Sequence, residues 1–556
     1  MNKELEMKKE IIINRIIDFS FVLGVVLVLF PHFSKDYIPS FLFPFFGSDK
    51  VLSIYPFFVF SLFSLLLLFL KKEYKKLLFI MLACLVFCFG FFVIAEHGLF
   101  MIIDGVTQYD VEKLEGSRLS FFNIVSRLFD SKDLSFRLSI SEGLFALYSA
   151  FNQFKEIILV ALLIGFIYEE RFDEAKRLFF IGIIISFILV ILYEIIEFPF
   201  LWGSEWSLKI QETINPFFHE VYRDGSWWPP LIWQDNVLRN VFAEPSFFGY
   251  YLGFTTVAFM HLLINNKHKV LWSVFLFLSY LFAFLTNSRS GVMLVLGGTF
   301  VYCILFAIKE RKINYILAIL LILALAFAGN NYVVRIKEKN GIVTAYSPIE
   351  KTNTVVSPLD GNVFEVLKAS FEPDDIVDSS IVRTIKTVFS LNARSNTTRY
   401  GCTFAELSIG LNNPLLGVGE LYIGGYMEPA LAEAGFSNGE LDVWIQSQKQ
   451  NGVLNNSFAS FNAFTSTFAD GGVLGFILDY GLLFSIIVAY IILFFRRDGF
   501  RGYKISIMLF SMIAIIIAWG FSNSLQESYL YVIVLGLALS DLLSRGRLLK
   551  HDETKV

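Results

Sequence analysis

Two short stretches of this 556-residue chain place charged residues directly before apolar segments. The first, residues 238–249, contains Arg239 and the sequence Glu244-Pro245-Ser246. Proline suits the first position of a helix, because the backbone N–H that it lacks would have no partner there. The residue before a proline is kept away from helical backbone angles. The pattern therefore predicts a helix that begins at Pro245, with Glu244 at its cap and Arg239 close by.

The second stretch is TNSRSG at residues 286–291. Asn and Ser are favoured helix caps, so Asn287 or Ser288 is expected to start the next helix. The free N–H groups and the positive dipole end at a helix start favour an anion. An arginine adds a planar fork of donors that binds phosphate oxygens in pairs. Two such helix starts, beside Arg239 and Arg289, predict a site for a phosphate or diphosphate.

Simpler explanations of these charges remain open at the level of sequence. Arg289 could mark the boundary between membrane and water by extending its side chain toward the surface. Arg239 and Glu244 could form an ordinary salt bridge. Either explanation suffices for one stretch taken alone, so the phosphate hypothesis depends on both stretches lying at the same place.

Two further stretches carry turn residues and one more arginine. The third holds Arg399 and then NNPLLGVG at residues 412–419. Its Asn-Pro and Gly-x-Gly pieces are ordinary turn chemistry and predict no activity by themselves. The fourth runs from FN at residues 461–462 to DGGVLG at residues 470–475, where Asp470 is expected to cap a helix.

Several patterns of nucleotide and metal chemistry are missing from the chain. No Asp-x-Asp pair occurs, and this pair holds the metal in many nucleotide-sugar transferases. There is no Walker A loop, and Gly417-x-Gly419 fails as a dinucleotide fingerprint because Tyr422 stands where the third glycine belongs. The four cysteines form no CxxC pair and no Cys/His cluster. We therefore predict no metal, no cofactor and no nucleotide-driven chemistry.

The composition is that of a protein embedded in a membrane. Hydrophobic residues make up 55% of the chain and charged residues 17%, whereas a soluble domain has about 25% charged residues. The mean hydropathy is +0.61. The basic residues lie in short scattered clusters, which argues against a nucleic-acid partner.

Twelve segments approach the roughly 20 apolar residues that a helix needs to cross the bilayer. The least apolar is interrupted by Asn152, Gln153, Lys155 and Glu156. The predicted spans are 14–31, 52–70, 77–95, 146–168, 178–200, 245–264, 269–286, 289–308, 313–329, 471–495, 505–522 and 525–543.

Basic loops give these spans a direction. Lysines and arginines gather in every second short loop, as they do in cytoplasmic loops. These clusters begin at Lys71, Lys176, Lys267, Lys309 and Arg496. Both termini are therefore predicted to be cytoplasmic, and residues 96–145, 201–244 and 330–470 are predicted to lie on the outer side.

The predicted fold is an all-α polytopic membrane protein with about 12 transmembrane helices and a large extracytoplasmic loop. Residues 1–329 are expected to form an N-terminal bundle of about nine spans, and residues 330–470 the large loop. Residues 471–543 would form the C-terminal transmembrane helices, and residues 544–556 a cytoplasmic tail. Alternating apolar positions around 334–390 predict short strands in the loop, beside short helices.

Taken in order, the four stretches resemble the bacterial O-antigen polymerase and ligase superfamily, of the Wzy and WaaL type. The resemblance covers about residues 235–480 and depends on the order of the motifs and on the large loop before the last spans. It implies a multi-pass protein of the bacterial inner (cytoplasmic) membrane. The implied substrate is an oligosaccharide on undecaprenyl diphosphate at the outer leaflet, and the implied reaction is glycosyl transfer without metal or nucleotide sugar. A chain-length regulator and a flippase are partners that such a system can include.

The resemblance also implies roles for the charged residues. Arg289 and Arg239 would bind the diphosphate, and Arg399 would close over it from the large loop. Cations held in place stabilise the charge that grows on a lipid diphosphate as it leaves. Glu244 is the candidate base that takes the proton of the acceptor hydroxyl, or else it orients Arg239.

One position departs from the family pattern. Many members, ligases especially, have His-Asn where this chain has Phe461-Asn462, and phenylalanine cannot move a proton. His219, in the loop at 201–244, is the histidine that could compensate. A polymerase that joins repeat units into O-antigen, capsule or exopolysaccharide is therefore the preferred prediction, and a ligase is the second. A transporter or flippase is the third, which matching halves and charges at mid-membrane would favour.

Overall fold

The chain is described by a computed structural model. The described residues are 2–34, 37–38, 51–218, 230–233, 237–310, 312–339, 394–495, 504–523, 525 and 529–553. Side chains are described for these residues except at 2–6, 338–339, 394–395 and 547–553. His219 and most of the predicted strand region lie outside the described residues, and the part of that region at 334–339 is helical.

Each of the twelve predicted spans falls on helical structure. The corresponding helices are α1 (Asn2–Leu27), α2 (Ile54–Leu70), α3 (Tyr74–Ile102), α6 (Leu134–Gln153) with α7 (Leu159–Tyr168), α8 (Phe172–Glu197), α10 (Pro245–Asn265), α11 (Lys269–Leu285), α12 (Arg289–Glu310), α13 (Ile313–Lys339), α17 (Ala463–Phe495), α18 (Lys504–Gly520) and α19 (Tyr529–Glu553). The other α-helices are α4 (Gln108–Glu112), α5 (Gly116–Leu128), α9 (Glu205–Phe218), α14 (Arg394–Asn412), α15 (Gly424–Glu433) and α16 (Gly439–Asn451).

The described helices confirm the predicted fold class. Eight helical segments are long and apolar enough to cross a membrane, and α2, α11 and α18 are shorter apolar helices. No strand occurs in the described ranges. The chain is therefore an all-α protein that passes through a membrane several times.

Two spans belong to helical segments longer than their apolar runs. A π turn at Phe154–Ile158 joins α6 to α7, so helical structure runs unbroken from Leu134 to Tyr168. The helix α17 begins at Ala463, before the predicted start of its span, and bends where Gly472 has φ 59° and ψ −152°. Hydropathy marks the part of a helix that lipid can surround, and it misses the polar turns at the ends.

The helix α10 lies at the centre of the bundle. Its most apolar window is 100% buried in protein, whereas the corresponding window of α13 is 22% buried. It packs against α11, α12 and α18. The hydroxyl of Thr256 lies 2.8 Å from that of Ser279 in α11. Because protein surrounds α10 on all sides, the position of its first residue, Pro245, is set by its neighbours.

The helices α14, α15 and α16 form a second, smaller core. Cys402 of α14, Met427 of α15 and Leu441 of α16 are buried in it together. Ala469 of α17 belongs to the same cluster, and α14 packs directly against α17. This core therefore holds α14 in a fixed place relative to α17.

Candidate functional site

The starts of α10 and α12 lie side by side, and two glycines allow this close approach. A Cβ atom at Gly249 would lie 2.3 Å from the Cα atom of Gly291. A Cβ atom at Gly291 would lie 2.9 Å from the Cα atom of Gly249. No larger side chain fits at either position without moving a backbone. Since each glycine is near the start of its helix, the two N-termini share one end of the bundle.

Both helix starts have the geometry predicted from the sequence. The helix α10 begins at Pro245, and Glu244 before it is extended, with φ −135° and ψ 151°. The helix α12 begins at Arg289. The Ser288 hydroxyl accepts a hydrogen bond of 3.2 Å from the backbone N–H of Gly291, so Ser288 is its cap.

The loop that carries Arg239 is tied to the turn before α12. The backbone N–H of Leu238 donates to the carbonyl of Leu285 at 3.2 Å. Asn287 then reverses the chain with φ 49°, in the left-handed region that asparagine tolerates better than most residues. Arg239 and Arg289 therefore belong to the same end of the bundle.

Arg239 itself is only 1% exposed. Its guanidinium donates to the carbonyls of Pro230 at 2.8 Å, Leu231 at 2.6 Å and Ala243 at 3.1 Å. Burial lowers the pKa of Arg239, and the charge of Glu197 opposes that shift. These contacts hold the loop that carries Arg239 in its conformation. The predicted contact of Arg239 with a diphosphate stays a prediction.

Arg399 lies among the other charged groups of the site. Burial lowers the pKa of its guanidinium, the carboxylates of Glu244 and Glu440 raise it, and the charge of Arg289 lowers it further. Electrostatic interactions of this kind fall off with distance, so the four groups are neighbours. The structure therefore brings together three residues that are far apart in sequence, Glu244, Arg289 and Arg399. We call Glu244, Arg289, Arg399 and Glu440 the charged cluster.

Two aromatic rings and one carbonyl hold Arg399 in place. Its guanidinium donates to the carbonyl of Ser522 at 2.9 Å. The guanidinium carbon lies 4.8 Å from the ring centroid of Phe461. The Phe461 ring in turn stacks on Trp444, with centroids 5.8 Å apart and planes at 27°. A cation held over an aromatic face has few alternative positions, so Arg399 is preorganised.

Glu440 belongs to the charged cluster, although the sequence does not predict it as a site residue. The Thr398 hydroxyl donates to the Glu440 carboxylate at 3.1 Å, and this fixes Glu440 beside Arg399. The Asn438 side chain caps α16 by accepting from the backbone N–H of Glu440 at 3.0 Å. An acidic residue after an Asn-Gly pair is an ordinary feature of a helix start, so no signal in the sequence marks it as part of a site.

The glycine-rich stretches of the third and fourth motifs pair with each other. The backbone N–H of Gly419 donates to the carbonyl of Asp470 at 2.7 Å, and that of Val473 donates to Pro414 at 2.8 Å. Gly417 has φ 61°, and a Cβ atom there would lie 2.4 Å from the carbonyl carbon of Asp470. The turn chemistry predicted for these stretches is confirmed, and it fixes the end of α14 against the bend of α17.

The prediction that Asp470 caps a helix is wrong. The helix α17 begins at Ala463, and Asn462 caps it by accepting from the backbone N–H groups of Phe464 at 3.1 Å and Thr465 at 3.3 Å. Asp470 lies in the helical segment before the break at Gly472, and its carboxylate accepts from the Ser466 hydroxyl at 3.3 Å. The second helical segment begins after Gly472, close to the predicted start of the span. The turns before the break carry hydroxyl side chains, so the apolar run does not include them.

Residues 435–439 read GFSNG, the G-x-S-x-G spacing of a hydrolase nucleophile. The structure explains this spacing without a nucleophile. Gly435, with φ 73°, follows the end of α15, and Asn438 caps α16. A nucleophile of that type needs a strand before the serine and a helix after it, and no strand occurs in the described part of the chain. GFSNG is therefore a helix end followed by a cap.

The chemistry available at the charged cluster is that of anion recognition. Two arginines stand beside two helix starts, and two carboxylates stand beside the arginines. Within the described ranges, no group of three His, Cys, Asp or Glu side chains could hold a metal ion. Arginines pair with phosphate oxygens, and carboxylates accept protons from hydroxyl groups, so the residue types fit the chemistry predicted from the sequence.

The fold and the site together define a multi-pass helical membrane protein with arginines at paired helix starts. Residues 274–478 of this chain match the O-antigen ligase family. The match covers less than half of the chain and supports a resemblance to the O-antigen polymerase and ligase superfamily. The matched segment contains Arg289, Arg399 and Glu440, while Arg239 and Glu244 precede it. A search of curated proteins finds no match.

Proposed function

We propose that this chain is a polymerase that joins oligosaccharide repeat units carried on undecaprenyl diphosphate at the outer leaflet. The observation that carries the proposal is the charged cluster. Glu244 and Arg289 at the starts of α10 and α12 lie within electrostatic reach of Arg399 on α14. The match to the O-antigen ligase family supports a lipid-linked glycan as the class of substrate. The predicted direction of the spans, from the basic loops, supplies the outer leaflet.

In the proposed reaction, a hydroxyl of the acceptor unit attacks the anomeric carbon of the donor. The bond from that carbon to the diphosphate oxygen breaks, and undecaprenyl diphosphate leaves with the electron pair. Arg289 and Arg399 stabilise the charge that grows on the leaving diphosphate. Glu244 takes the hydroxyl proton. The Ser246 hydroxyl donates to the Glu244 carboxylate at 2.9 Å and so orients it.

The choice of a polymerase over a ligase rests on Phe461. The resemblance expects a histidine here in ligases, and in this chain the Phe461 ring lies under Arg399. A phenyl ring positions a cation but cannot carry a proton. The ligase is kept as the second candidate because the matching family model is described as O-antigen ligase.

Deletion of the gene, followed by gel analysis of surface glycan and of lipid-linked intermediates, tests the proposal. Loss of a polymerase leaves a single repeat unit on the final acceptor. Loss of a ligase leaves the acceptor bare while lipid-linked polymer accumulates. Loss of a flippase traps lipid-linked single units on the cytoplasmic side. Either of the last two patterns, or an unchanged glycan ladder, would refute the polymerase.

A further inference from the structure

A polar cavity lies within the bundle, and no residue of the charged cluster lines it. Its volume is about 230 Å³, several times the roughly 30 Å³ that one water occupies in the liquid. Its lining includes Asn152, Gln153, Glu156, Glu420, Tyr529 and Tyr531. A smaller cavity of about 40 Å³ shares Gln153 and Glu420 with it.

The polar residues that interrupt the least apolar span supply one wall of this cavity. Asn152 and Gln153 end α6, and Glu156 lies in the π turn that follows. A π turn inserts one extra residue into a helix and is frequently found at functional sites. The Gln153 amide donates to the Asp479 carboxylate at 2.7 Å, which fixes this wall against α17. Polar groups inside a membrane-crossing segment are costly, and that cost calls for a functional explanation.

Glu420 supplies a carboxylate to both cavities. It follows Gly419, whose backbone is held by the carbonyl of Asp470. Its side chain is exposed and lines the cavity, so its carboxylate is open to a ligand there. The backbone of Glu420 is therefore fixed, and its carboxylate can accept hydrogen bonds from a ligand.

Tyr531 adds a second group whose hydrogen bonding is incomplete. It lines the cavity and is 2% exposed, and its hydroxyl has no hydrogen-bond partner among the described residues. Its neighbour Tyr529 donates to the carbonyl of Glu156 at 2.9 Å. A buried hydroxyl without a partner is destabilising. A ligand that accepts a hydrogen bond from Tyr531 would therefore gain more binding free energy than one that must displace water from an already hydrated hydroxyl.

We infer that this cavity binds a sugar ring of the glycan substrate, an inference that rests on the proposed function. Neighbouring sugar hydroxyls would donate to Glu420 and accept from Tyr531. The described lining residues include no arginine or lysine, and the lining Glu156 is paired with Lys155 at 3.4 Å. The remaining carboxylate, that of Glu420, would repel a diphosphate, so the bound ring is one that carries no phosphate. The mixture of carboxylate, amide and tyrosine groups suits a polyhydroxylated ring better than a cation, and the described residues form no metal site.

Two conservative substitutions test the cavity with purified protein in detergent. The first probe is the repeat-unit oligosaccharide, released from the surface glycan of the source organism by mild acid. The second is undecaprenyl phosphate, which carries no sugar. Tyr531→Phe should weaken oligosaccharide binding between about twofold and tenfold, and Glu420→Gln roughly tenfold, because each removes one hydrogen-bonding function. Both variants should bind undecaprenyl phosphate like the wild type.

The matched control is Tyr302→Phe. Tyr302 of α12 is also fully buried with a hydroxyl that has no partner among the described residues, and it does not line the cavity. This variant should bind both probes like the wild type. Removal of a partnerless hydroxyl should not lower the melting temperature in either tyrosine variant, so lost binding by Tyr531→Phe cannot be assigned to misfolding.

The inference is overturned if the wild type does not bind the oligosaccharide, or if Glu420→Gln and Tyr531→Phe both bind it unchanged. The proposed function is tested separately with Arg289→Ala. That variant should keep oligosaccharide binding and lose binding of undecaprenyl phosphate. If it binds the lipid phosphate normally while the cavity variants lose the sugar, the assigned role of the charged cluster fails and the cavity assignment stands.

Discussion

The guanidinium carbon of Arg399 lies 4.8 Å from the centre of the Phe461 ring, and Phe461 is itself stacked on Trp444. The contact joins α14 to the loop that precedes α17, two parts of the chain that are far apart in the sequence. It also explains how a phenyl ring can serve a position where the resemblance expects a histidine, because here the ring holds a cation in place.

Replacement of Phe461 by leucine should therefore loosen Arg399 without removing its charge. We expect Phe461→Leu to reduce polymer synthesis about three- to tenfold, the range of a partly buried cation–π contact. The control is Phe404→Leu, because Phe404 is on the same helix as Arg399 but stacks on Phe436 instead. Equal activity of Phe461→Leu and wild type would show that the ring does not position Arg399.

Arg289 is expected to matter through its planar fork as well as its charge. Arg289→Ala should lower polymer synthesis by about 10²- to 10³-fold, as loss of a donor to a developing anion does in other enzymes. Arg289→Lys keeps the charge but not the paired donors, so it should recover only part of the activity. Arg335→Ala, at an exposed arginine of α13, is the control. Unchanged polymer length and amount in Arg289→Ala would contradict the proposed role of Arg289 in binding the diphosphate.

Substitution of Arg239 distinguishes a structural role of this residue from a role in ligand binding. Its guanidinium is bonded to three backbone carbonyls, so Arg239→Met should leave them without donors. We expect a loss of stability of about 3 kcal/mol or more, seen as a lower melting temperature of the purified protein. A variant that melts like the wild type but no longer binds undecaprenyl phosphate would instead support the diphosphate contact predicted from the sequence.

The contact between Gly249 and Gly291 should not tolerate a methyl group. Gly291→Ala must push α12 away from α10, because the added Cβ atom would lie 2.9 Å from the Cα atom of Gly249. We expect lower activity and a lower melting temperature. Gly297→Ala lies on the same helix and faces open space, so it should preserve both. If both alanine variants have the same activity and melting temperature, the close approach of α10 and α12 does not determine the geometry of the site.

Glu406 should make the stability of the α14–α16 core depend on pH. Burial raises the pKa of Glu406 from 4.5 to about 8, although a 2.6 Å hydrogen bond from Thr465 favours the charged form. Between these values the folded state binds a proton that the unfolded state has released. Stability should therefore fall as the pH rises from about 4.5 to 8, with a slope of about 1.4 kcal/mol per pH unit.

Melting curves across this pH range check the Glu406 prediction. Glu406→Gln should abolish this component of the pH dependence and raise the melting temperature at pH 8 relative to the wild type. The exposed Glu433 of α15 provides the control, Glu433→Gln, which should leave the wild-type profile unchanged. A wild-type melting temperature that rises between pH 5 and 8 would contradict the sign of the effect.

Local signals in the sequence predicted the helix starts well. Pro245 and the Ser288 cap act through bonds within a few residues, so their consequences can be worked out without the fold. The helical turns from Ala463 to the break at Gly472 are not predicted, because hydropathy does not detect polar turns capped by Asn462. The turn chemistry around Gly417 was recognised, but not that its partner is the stretch around Asp470.

The candidate site itself depends on contacts between distant parts of the chain. Glu440 reaches Arg399 only because α16 packs beside α14. The three carbonyls that surround Arg239 cannot be anticipated from a charged residue near a membrane edge. In the sequence, the polar residues around Gln153 only make one predicted span less apolar. The fold shows that Glu420 and Tyr531 are their neighbours.

The burial of α10 has a consequence for the biogenesis of the protein. This helix carries polar groups such as Thr255, Thr256 and His261, and its neighbour α18 is synthesised more than 200 residues after it. While the ribosome is still making the later helices, α10 must be shielded by α12, by lipid or by an insertion factor. The α10–α18 contact should therefore be one of the last to form, and nascent chains arrested before residue 504 should be the preferred clients of membrane chaperones and quality-control proteases.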